Sequence, residues 1–273
     1  RGVGRDGGII ALGGGVAGDL AGFVAATYLR GIPFIQAPTS LLAMVDASVG
    51  GKTGVDTRLG KNLVGAFHHP AAVAADPLVL QTLPERHYRG GLAEAVKHGL
   101  IADAEYFGWM EREADALLRR DAGALTHLVR RSVEIKAEVV SADERETGRR
   151  AILNAGHTVA HALEQVTAFE LAHGEAVSLG LVAECALAEA RRVAPAGLRA
   201  RVSSLLERFG LPVRLPMRVS EDALLSAMAH DKKNRMAHIR FALPSAIGCM
   251  PSEGGWTHPA EEGMIRSALA MIM

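Results

Sequence analysis

The chain has 273 residues, enough for one large domain or two modest ones with real cores, and two is the expectation here. Its 30 basic and 30 acidic residues cancel to zero formal charge, which removes the global field that would recruit nucleic acid or an anionic membrane and leaves small molecules as the expected partners. Cys185 and Cys249 show no paired spacing, which excludes a disulfide framework or thiolate metal motif and fits two buried thiols in a reducing compartment; with no apolar run of about 18 residues and no signal peptide, a cytoplasmic location is expected.

Residues 8–12 (G-I-I-A-L) read as a short buried strand that runs into Gly13-Gly14-Gly15 and then an Ala-rich helical pattern as far as Tyr28. Strand, glycines and helix follow one another in nucleotide-binding turns, because glycines let backbone approach a pyrophosphate and the amides opening the helix donate to it. The spacing is not G-x-G-x-x-G, so a bare tight turn is the competing account. Residues 33–37 (P-F-I-Q-A) read as the next strand, closed by Pro38-Thr39-Ser40. Two glycine-hinged, lysine-bearing stretches follow, 46–56 around Lys52 and 60–65 around Lys61 and Asn62. G-G-K-T at 50–53 is no P-loop, since the first glycine of G-x-x-x-x-G-K-[ST] falls on Asp46. The flanking glycines still point to backbone and amine both approaching a ligand, against the plainer account of an exposed, solubilising lysine.

Residues 73–76 read as a last strand, and from Leu78 the pattern turns helical, with a boundary between an α/β half and an all-helical half near residue 88. Helical patterns cover 88–101, 104–118, 125–140, 151–166, 175–192, 198–209 and 221–230. Mixed structure returns at Leu215, with a short extended segment at 238–243 and a final helix at 260–272. Glu94 and Lys97 lie one turn apart, as in an ordinary i,i+3 ion pair. Lys136 between Glu134 and Glu138, and Asp231-Lys232-Lys233, read by themselves as solvated faces.

The densest chemistry lies at 150–175. His157 and His161 are four residues apart and would share one helix face, and His173 follows after a break. Two imidazoles from one segment with a carboxylate from elsewhere make a three-ligand site with an open position, the pattern of a catalytic divalent ion; a chance pair of core or surface histidines is the plain alternative. Arg150 and Asn154 precede them at helical spacing, so one helix here would carry a cation, an amide and two imidazoles along a face suited to an anionic substrate.

Taken in order, G-G-G-V-A-G-D-L-A-G-F at 13–23, Y-L-R-G at 28–31, the block 38–62, G-L-A-E-A-V-K-H-G at 91–99, L-N-A-G-H-T-V-A-H-A-L-E at 153–164, H-G-E-A-V-S at 173–178 and D-K-K at 231–233 resemble the 3-dehydroquinate synthase family of sugar-phosphate cyclases over nearly the whole chain. The resemblance implies a dehydroquinate synthase-like fold: an α/β NAD-binding domain at 1–88, an all-α metal- and substrate-binding domain at 89–273, an active site between them, and a homodimer. It implies that Glu94, His157 and His173 ligate a catalytic zinc, with cobalt as an alternative, and that His161 is not a ligand, which departs from the pairing that spacing suggests. The implied reaction takes 3-deoxy-arabino-heptulosonate 7-phosphate to 3-dehydroquinate and phosphate, using NAD catalytically, in the shikimate pathway of aromatic amino acid biosynthesis.

The same resemblance places Lys52, Asn62, Asn154, His161 and one of Lys232 and Lys233 around the substrate phosphate, with Arg30 reaching it across the dimer. Lys136 and Arg150 match the positions that hold the carboxylate and hydroxyl end, and Asp46 and Lys97 match polar groups around the reacting carbons. Gly14, Gly15, Val16, Asp19, Thr39, Ser40, Lys61 and Thr82 match NAD-contacting positions. Ser40, Ala155 and Ala160 depart from the usual threonine, aromatic residue and glycine, and none removes a functional group. Family members carry a further stretch before the first strand, including part of the NAD domain, so this chain is expected to be a fragment that keeps its metal domain but binds NAD weakly. Three rivals are weighed. A sister cyclase such as 2-deoxy-scyllo-inosose synthase is disfavoured by the presence of Lys136, Arg150, Asn154 and His161, because a carboxylate-free substrate has less need of Arg150, and a metal-dependent polyol dehydrogenase would not need so many phosphate-facing cations. A non-catalytic, ligand-binding remnant is disfavoured by the full set of polar site residues.

Overall fold

The computed structural model describes residues 2–57, 60–230 and 239–273; Lys232 and Lys233, and the side chains of Lys61 and Asn62, lie outside the described residues. The apolar run Ile9–Gly13 forms β1, and the chain returns through helix α1 (Gly15–Thr27) to lay β2 (Phe34–Pro38) parallel beside it, in register from Ile9↔Phe34 to Gly13↔Pro38. A parallel pair needs such a crossover, and α1 covers one face of the strands with its small buried residues Gly18, Gly22 and Ala25. The two glycine-hinged, lysine-bearing stretches form an antiparallel hairpin, β3 (Lys52–Thr57) with β4 (Gly60–Phe67), and α1 packs on β3 as well as on the sheet. Glycines at strand positions, with Gly54 opposite Gly65, hide the alternation by which a strand is recognised. β5 (Ala72–Val73) pairs parallel with β2 and completes the order β1-β2-β5, leaving β1 as an edge on which Ile10 and Leu12 are exposed.

From Glu85 onward helices dominate: α2 (Glu85–Ala102), α3 (Ala104–Arg112), α4 (Ala114–Leu118), α5 (Ala122–Ala142), α6 (His157–Val166), α7 (His173–Ala190), α8 (Leu198–Arg208) and α9 (Glu221–His230). Asp103 and Asp121 cap α3 and α5, accepting from Tyr106 N and Ala124 N at 2.9 Å each. The single helix expected at 104–118 is two, broken at Glu113. The helix expected over 151–166 begins only at His157: Arg149–Asn154 form a separate 3-10 turn, and Gly156, at φ 80°, divides the two. A short antiparallel pair, β6 (Arg240–Phe241) with β7 (His258–Pro259), and α10 (Glu262–Leu269) close the chain. Cys185 is buried as expected, but Cys249 is exposed. No helix among the described residues is long and apolar enough to cross a membrane.

α2 and α7 run through the middle of the main core and are buried on nearly all sides, the burial expected of a helix with little amphipathic contrast. They cross where Gly174 faces Gly90: a Cβ on Gly174 would stand 2.2 Å from the Gly90 Cα, so only glycine permits the approach. That crossing sets Glu94, one turn along α2, against His173 at the start of α7.

Candidate active site

Five further segments converge on this crossing. The turn Ala43–Ala47 is π-helical, with Ser48 N donating to Ala43 O at 3.0 Å, and it presents Asp46; widened turns of this kind often mark functional sites. α5 contributes Lys136, the 3-10 turn contributes Arg150 and Asn154, α6 contributes His157 and His161, and the loop between α5 and the 3-10 turn contributes Glu146.

Glu94, His157 and His173 each offer a ligand atom, and these atoms lie within 4.8 Å of one another. Both Nε2 atoms face the same carboxylate oxygen, Glu94 Oε1, at 3.4 Å from His157 and 3.0 Å from His173. The other ring nitrogens are occupied elsewhere: His157 Nδ1 lies 3.1 Å from Ala155 O, and His173 Nδ1 lies 3.4 Å from Glu164 Oε1. Glu94 Oε2 is engaged by Lys97, which leaves Oε1 for the imidazoles' side. Two Nε2 atoms and one carboxylate oxygen, each ring backed by an oxygen on its far side, fit a divalent ion such as zinc. The ring centroids of His157 and His161 lie 5.4 Å apart, edge-on, and His161 does not join the triad.

The electrostatics favour positive charge at this point. Burial by itself would raise the Glu94 carboxyl, but Lys97, His157 and His173 hold it well below the usual carboxylate range. Burial, reinforced by Lys97, brings His157 down to about 4 and so leaves a neutral imidazole with a free lone pair at neutral pH. Burial would lower His173 too, but the carboxylates of Glu164 and Glu94 outweigh it and raise this ring to about 10. Glu164 was not singled out in the sequence; the only signal for it is its place in the same motif as His157. Glu164→Ala is expected to weaken zinc binding about 10- to 100-fold while leaving α6 helical, read by competition with a chromophoric chelator, and an unchanged affinity would remove it from the site.

Beside the triad lies a buried charge cluster. Asp46 Oδ1 is 3.0 Å from Lys136 Nζ, 3.5 Å from Lys97 Nζ and 3.4 Å from His98 Nε2, and Lys136 also donates to the Asp46 main-chain oxygen at 2.6 Å. Burial opposes ionisation of Asp46, yet the two ammonium groups prevail and lower its pKa well below the usual range. The lysines differ. Lys97 is raised, because Asp46 and Glu94 together overcome its burial, whereas Lys136 is lowered by burial and by Lys97 despite Asp46. Lys136 is therefore the ammonium that gives up a proton more readily. His98, fully buried beside Asp46, is lowered by burial and is neutral; the sequence offered no reason to select it.

Around this runs a ring of cations and amides. Asn154 Nδ2 donates to Glu146 Oε1 at 2.6 Å, and Lys52 pairs with Glu146 Oε2, so Glu146, which the sequence reading passed over, gathers two residues expected at the phosphate. Arg150 is 2 % exposed, donating to Gly50 O at 2.8 Å and to Glu144 O, and its Nε–H is buried with no acceptor among the described residues. Asp143 shapes the loop by accepting from the backbone N–H groups of Thr147, Gly148 and Arg150 at 2.9, 2.7 and 3.0 Å, and the Thr147 bond leads in holding its pKa near 2.

Gly14, Gly15, Val16, Thr39 and Ser40 come together at the carboxyl ends of β1 and β2, where α/β sheets bind ligands. Thr39 N donates to Gly13 O at 2.8 Å, and a Cβ on Gly14 would meet Ser40 Oγ at 3.3 Å. α1 opens here with no side-chain cap on its first N–H groups, which suits a phosphate-bearing dinucleotide. Asp19, one turn further, is raised to about 6, chiefly by burial, with Asp56 and Asp46 adding and Lys136 opposing. Thr82 is exposed and donates to Val79 O, and Arg30 lies beyond the far end of α1 from the glycine turn.

Comparison with known proteins gives the same picture. The family profiles described as 3-dehydroquinate synthase N-terminal and 3-dehydroquinate synthase C-terminal match residues 1–90 and 91–234. The structure of 2-epi-5-epi-valiolone synthase from Streptomyces hygroscopicus subsp. jinggangensis 5008, with NAD+ and Zn2+ bound, is 32% identical with a TM-score of 0.87, over 96% of this chain and 72% of that one. A 2-deoxy-scyllo-inosose synthase complexed with carbaglucose-6-phosphate, NAD+ and Co2+ is 27% identical with a TM-score of 0.92, over 99% and 76%. A probable glycerol dehydrogenase from Sinorhizobium meliloti 1021, 18% identical with a TM-score of 0.62 over 97% and 76%, shares the fold. With both halves matched, the chain belongs to the 3-dehydroquinate synthase family of sugar-phosphate cyclases.

Proposed function

We propose that this protein is a 3-dehydroquinate synthase that converts 3-deoxy-arabino-heptulosonate 7-phosphate to 3-dehydroquinate and phosphate, a step of the shikimate pathway, with residues 1–88 taking NAD and 89–273 taking the metal and most of the substrate. The observation that carries this reading is Arg150: a guanidinium buried to 2 % exposure, held to Gly50 O, with an Nε–H that has no acceptor among the described residues. A buried donor without a partner costs free energy, and a substrate carboxylate satisfies it; that group distinguishes the heptulosonate from sugar phosphates that carry phosphate alone.

Glu94, His157 and His173 would hold the divalent ion and the glycine turn the dinucleotide; the ion supplies Lewis acidity to substrate hydroxyls, and NAD supplies reversible hydride transfer. The residues of the chain have their own parts. Lys52, Asn154, His161, Asn62 and one of Lys232 and Lys233 form the phosphate side, where Glu146 must release Lys52 and Asn154 as the anion enters, and Arg30 of a second subunit completes it. Lys136 and Arg150 hold the carboxylate and hydroxyl end, Asp46 and Lys97 surround the reacting carbons, and Lys136, the more readily deprotonated amine, exchanges a proton with a substrate hydroxyl. Enclosure of the chain of substrate carbons among these groups holds the enol near its carbonyl for ring closure.

A second reading, a cyclase acting on a carboxylate-free sugar phosphate, is favoured by the solved structures of valiolone and inosose synthases among the relatives. The assay is phosphate release with NAD and zinc, offered the heptulosonate phosphate or glucose 6-phosphate. Release from the first, with 3-dehydroquinate as product, supports the proposal; release from the second alone refutes it. Arg150→Met is expected to weaken binding of the heptulosonate by about 2 to 4 kcal/mol while changing NAD affinity little, since only the substrate loses a desolvated charge partner; equal losses in calorimetry would remove the carboxylate assignment.

A further inference from the structure

Helix α7 meets the metal triad twice. His173, its first residue, supplies a ligand atom, and two to three turns later Gly180 and Glu184 hold the turn from which His157 projects. Gly156 donates its N–H to Glu184 Oε2 at 2.8 Å, in a bond buried from solvent, and Glu184 itself is 1 % exposed. Gly180 lies against the next peptide so closely that a Cβ there would come within 1.9 Å of Gly156 O.

This turn has little of its own to fix it. Gly156 is the N-cap of α6 and provides no side-chain cap, and its left-handed φ of 80° belongs to a residue with many alternatives in the unfolded chain. His157 follows at once, with Nδ1 held 3.1 Å from Ala155 O, so the peptide whose N–H bonds Glu184 also carries the carbonyl that orients the ring. A carboxylate is a costly residue to bury, and an apolar side chain would serve mere packing better, so its presence at this depth calls for a directed bond.

We propose that Glu184 is a positioning residue for the metal centre: by fixing Gly156 N–H to α7, the helix that also carries His173, it sets the distance and angle between the two ligating imidazoles. This rests on the reading that Glu94, His157 and His173 hold a divalent ion. Glu184 is not one of the three residues that offer a ligand atom; its bond is to the turn that carries His157.

The test compares the full chain with E184Q and E184D by zinc affinity, measured against a chromophoric chelator, alongside melting of the metal-free protein. E184Q keeps a carbonyl oxygen at the same reach and should bind zinc within about threefold of the parent, whereas E184D withdraws the acceptor by one methylene and should lose about 10- to 100-fold, the range seen for supports behind a ligand. A purely structural residue would lower the melting temperature in both variants and leave zinc affinity alone, and that result overturns the proposal. Equal losses of affinity in E184Q and E184D would assign the effect to charge and overturn it as well. A parent chain that binds no zinc overturns the metal-site reading and this inference with it; a parent that binds, with E184D equal to it, overturns this inference alone. Should E184D not fold, amide exchange of Gly156 in the metal-free parent decides: protection well above that of exposed amides is expected, and exchange at an exposed rate refutes the bond.

Discussion

Alanine at His157 or at His173 is expected to strip the protein of bound zinc, with affinity falling by more than the roughly 100-fold that loss of an outer support costs, while alanine at His161 should leave the metal in place and abolish turnover. The contrast follows from geometry. His157 and His173 both direct Nε2 at Glu94 Oε1, and each has its other nitrogen against an oxygen, so removal of either ring leaves two ligands. His161 stands edge-on to His157, outside the triad. Metal analysis after purification in zinc checks this, with far-ultraviolet circular dichroism to show that the helices survive. If the His157→Ala and His173→Ala proteins fold and retain as much zinc as the parent, the metal assignment is wrong.

The strands and helices that position this site were readable where one element's own pattern sufficed. The apolar runs of β1 and β2 bracket the glycine turn, and the helical patterns at 88–101 and 175–192 mark the bodies of α2 and α7. Spacing failed where the contact runs between elements. The four-residue interval invited a His157–His161 pair, yet the second imidazole comes from α7, because the Gly90–Gly174 crossing brings that helix onto α2, and no periodicity encodes which two glycines meet. The continuous face from Arg150 to His161 failed for a local reason: Gly156 in a left-handed conformation ends the 3-10 turn and restarts the helix, and a glycine just before a histidine-bearing helix was the signal for it. Glu146, Glu164, Glu184 and His98 each look like ordinary helix or loop residues in the sequence. Their roles exist only through contacts with residues far along the chain, as when Glu146 joins Lys52 to Asn154.

The largest effect on stability is expected at Lys97. Its ammonium, on a residue with 2 % exposure, pairs with Glu94 and stands 3.5 Å from Asp46, so Lys97→Met leaves two carboxylates in the core without the cation they share. Removing one member of a buried pair costs about 3 to 5 kcal/mol, and the lower figure applies here because His173 still faces Glu94 and Lys136 still faces Asp46. Charge-neutral packing cannot make up the loss, since methionine fills the space but offers no proton to either carboxylate. The metal reverses part of it. Without the ammonium, Glu94 is free of its nearest competing cation and the site of its nearest repulsive charge, so zinc should bind the variant more tightly than the parent and stabilise it more. Urea unfolding in excess chelator should therefore show the full deficit, and saturating zinc should shrink it, even though the variant turns over little substrate. Equal unfolding free energies in chelator would show that Lys97 carries no net charge balance in the core; a deficit that zinc leaves untouched would show that Glu94 lies outside the metal's reach.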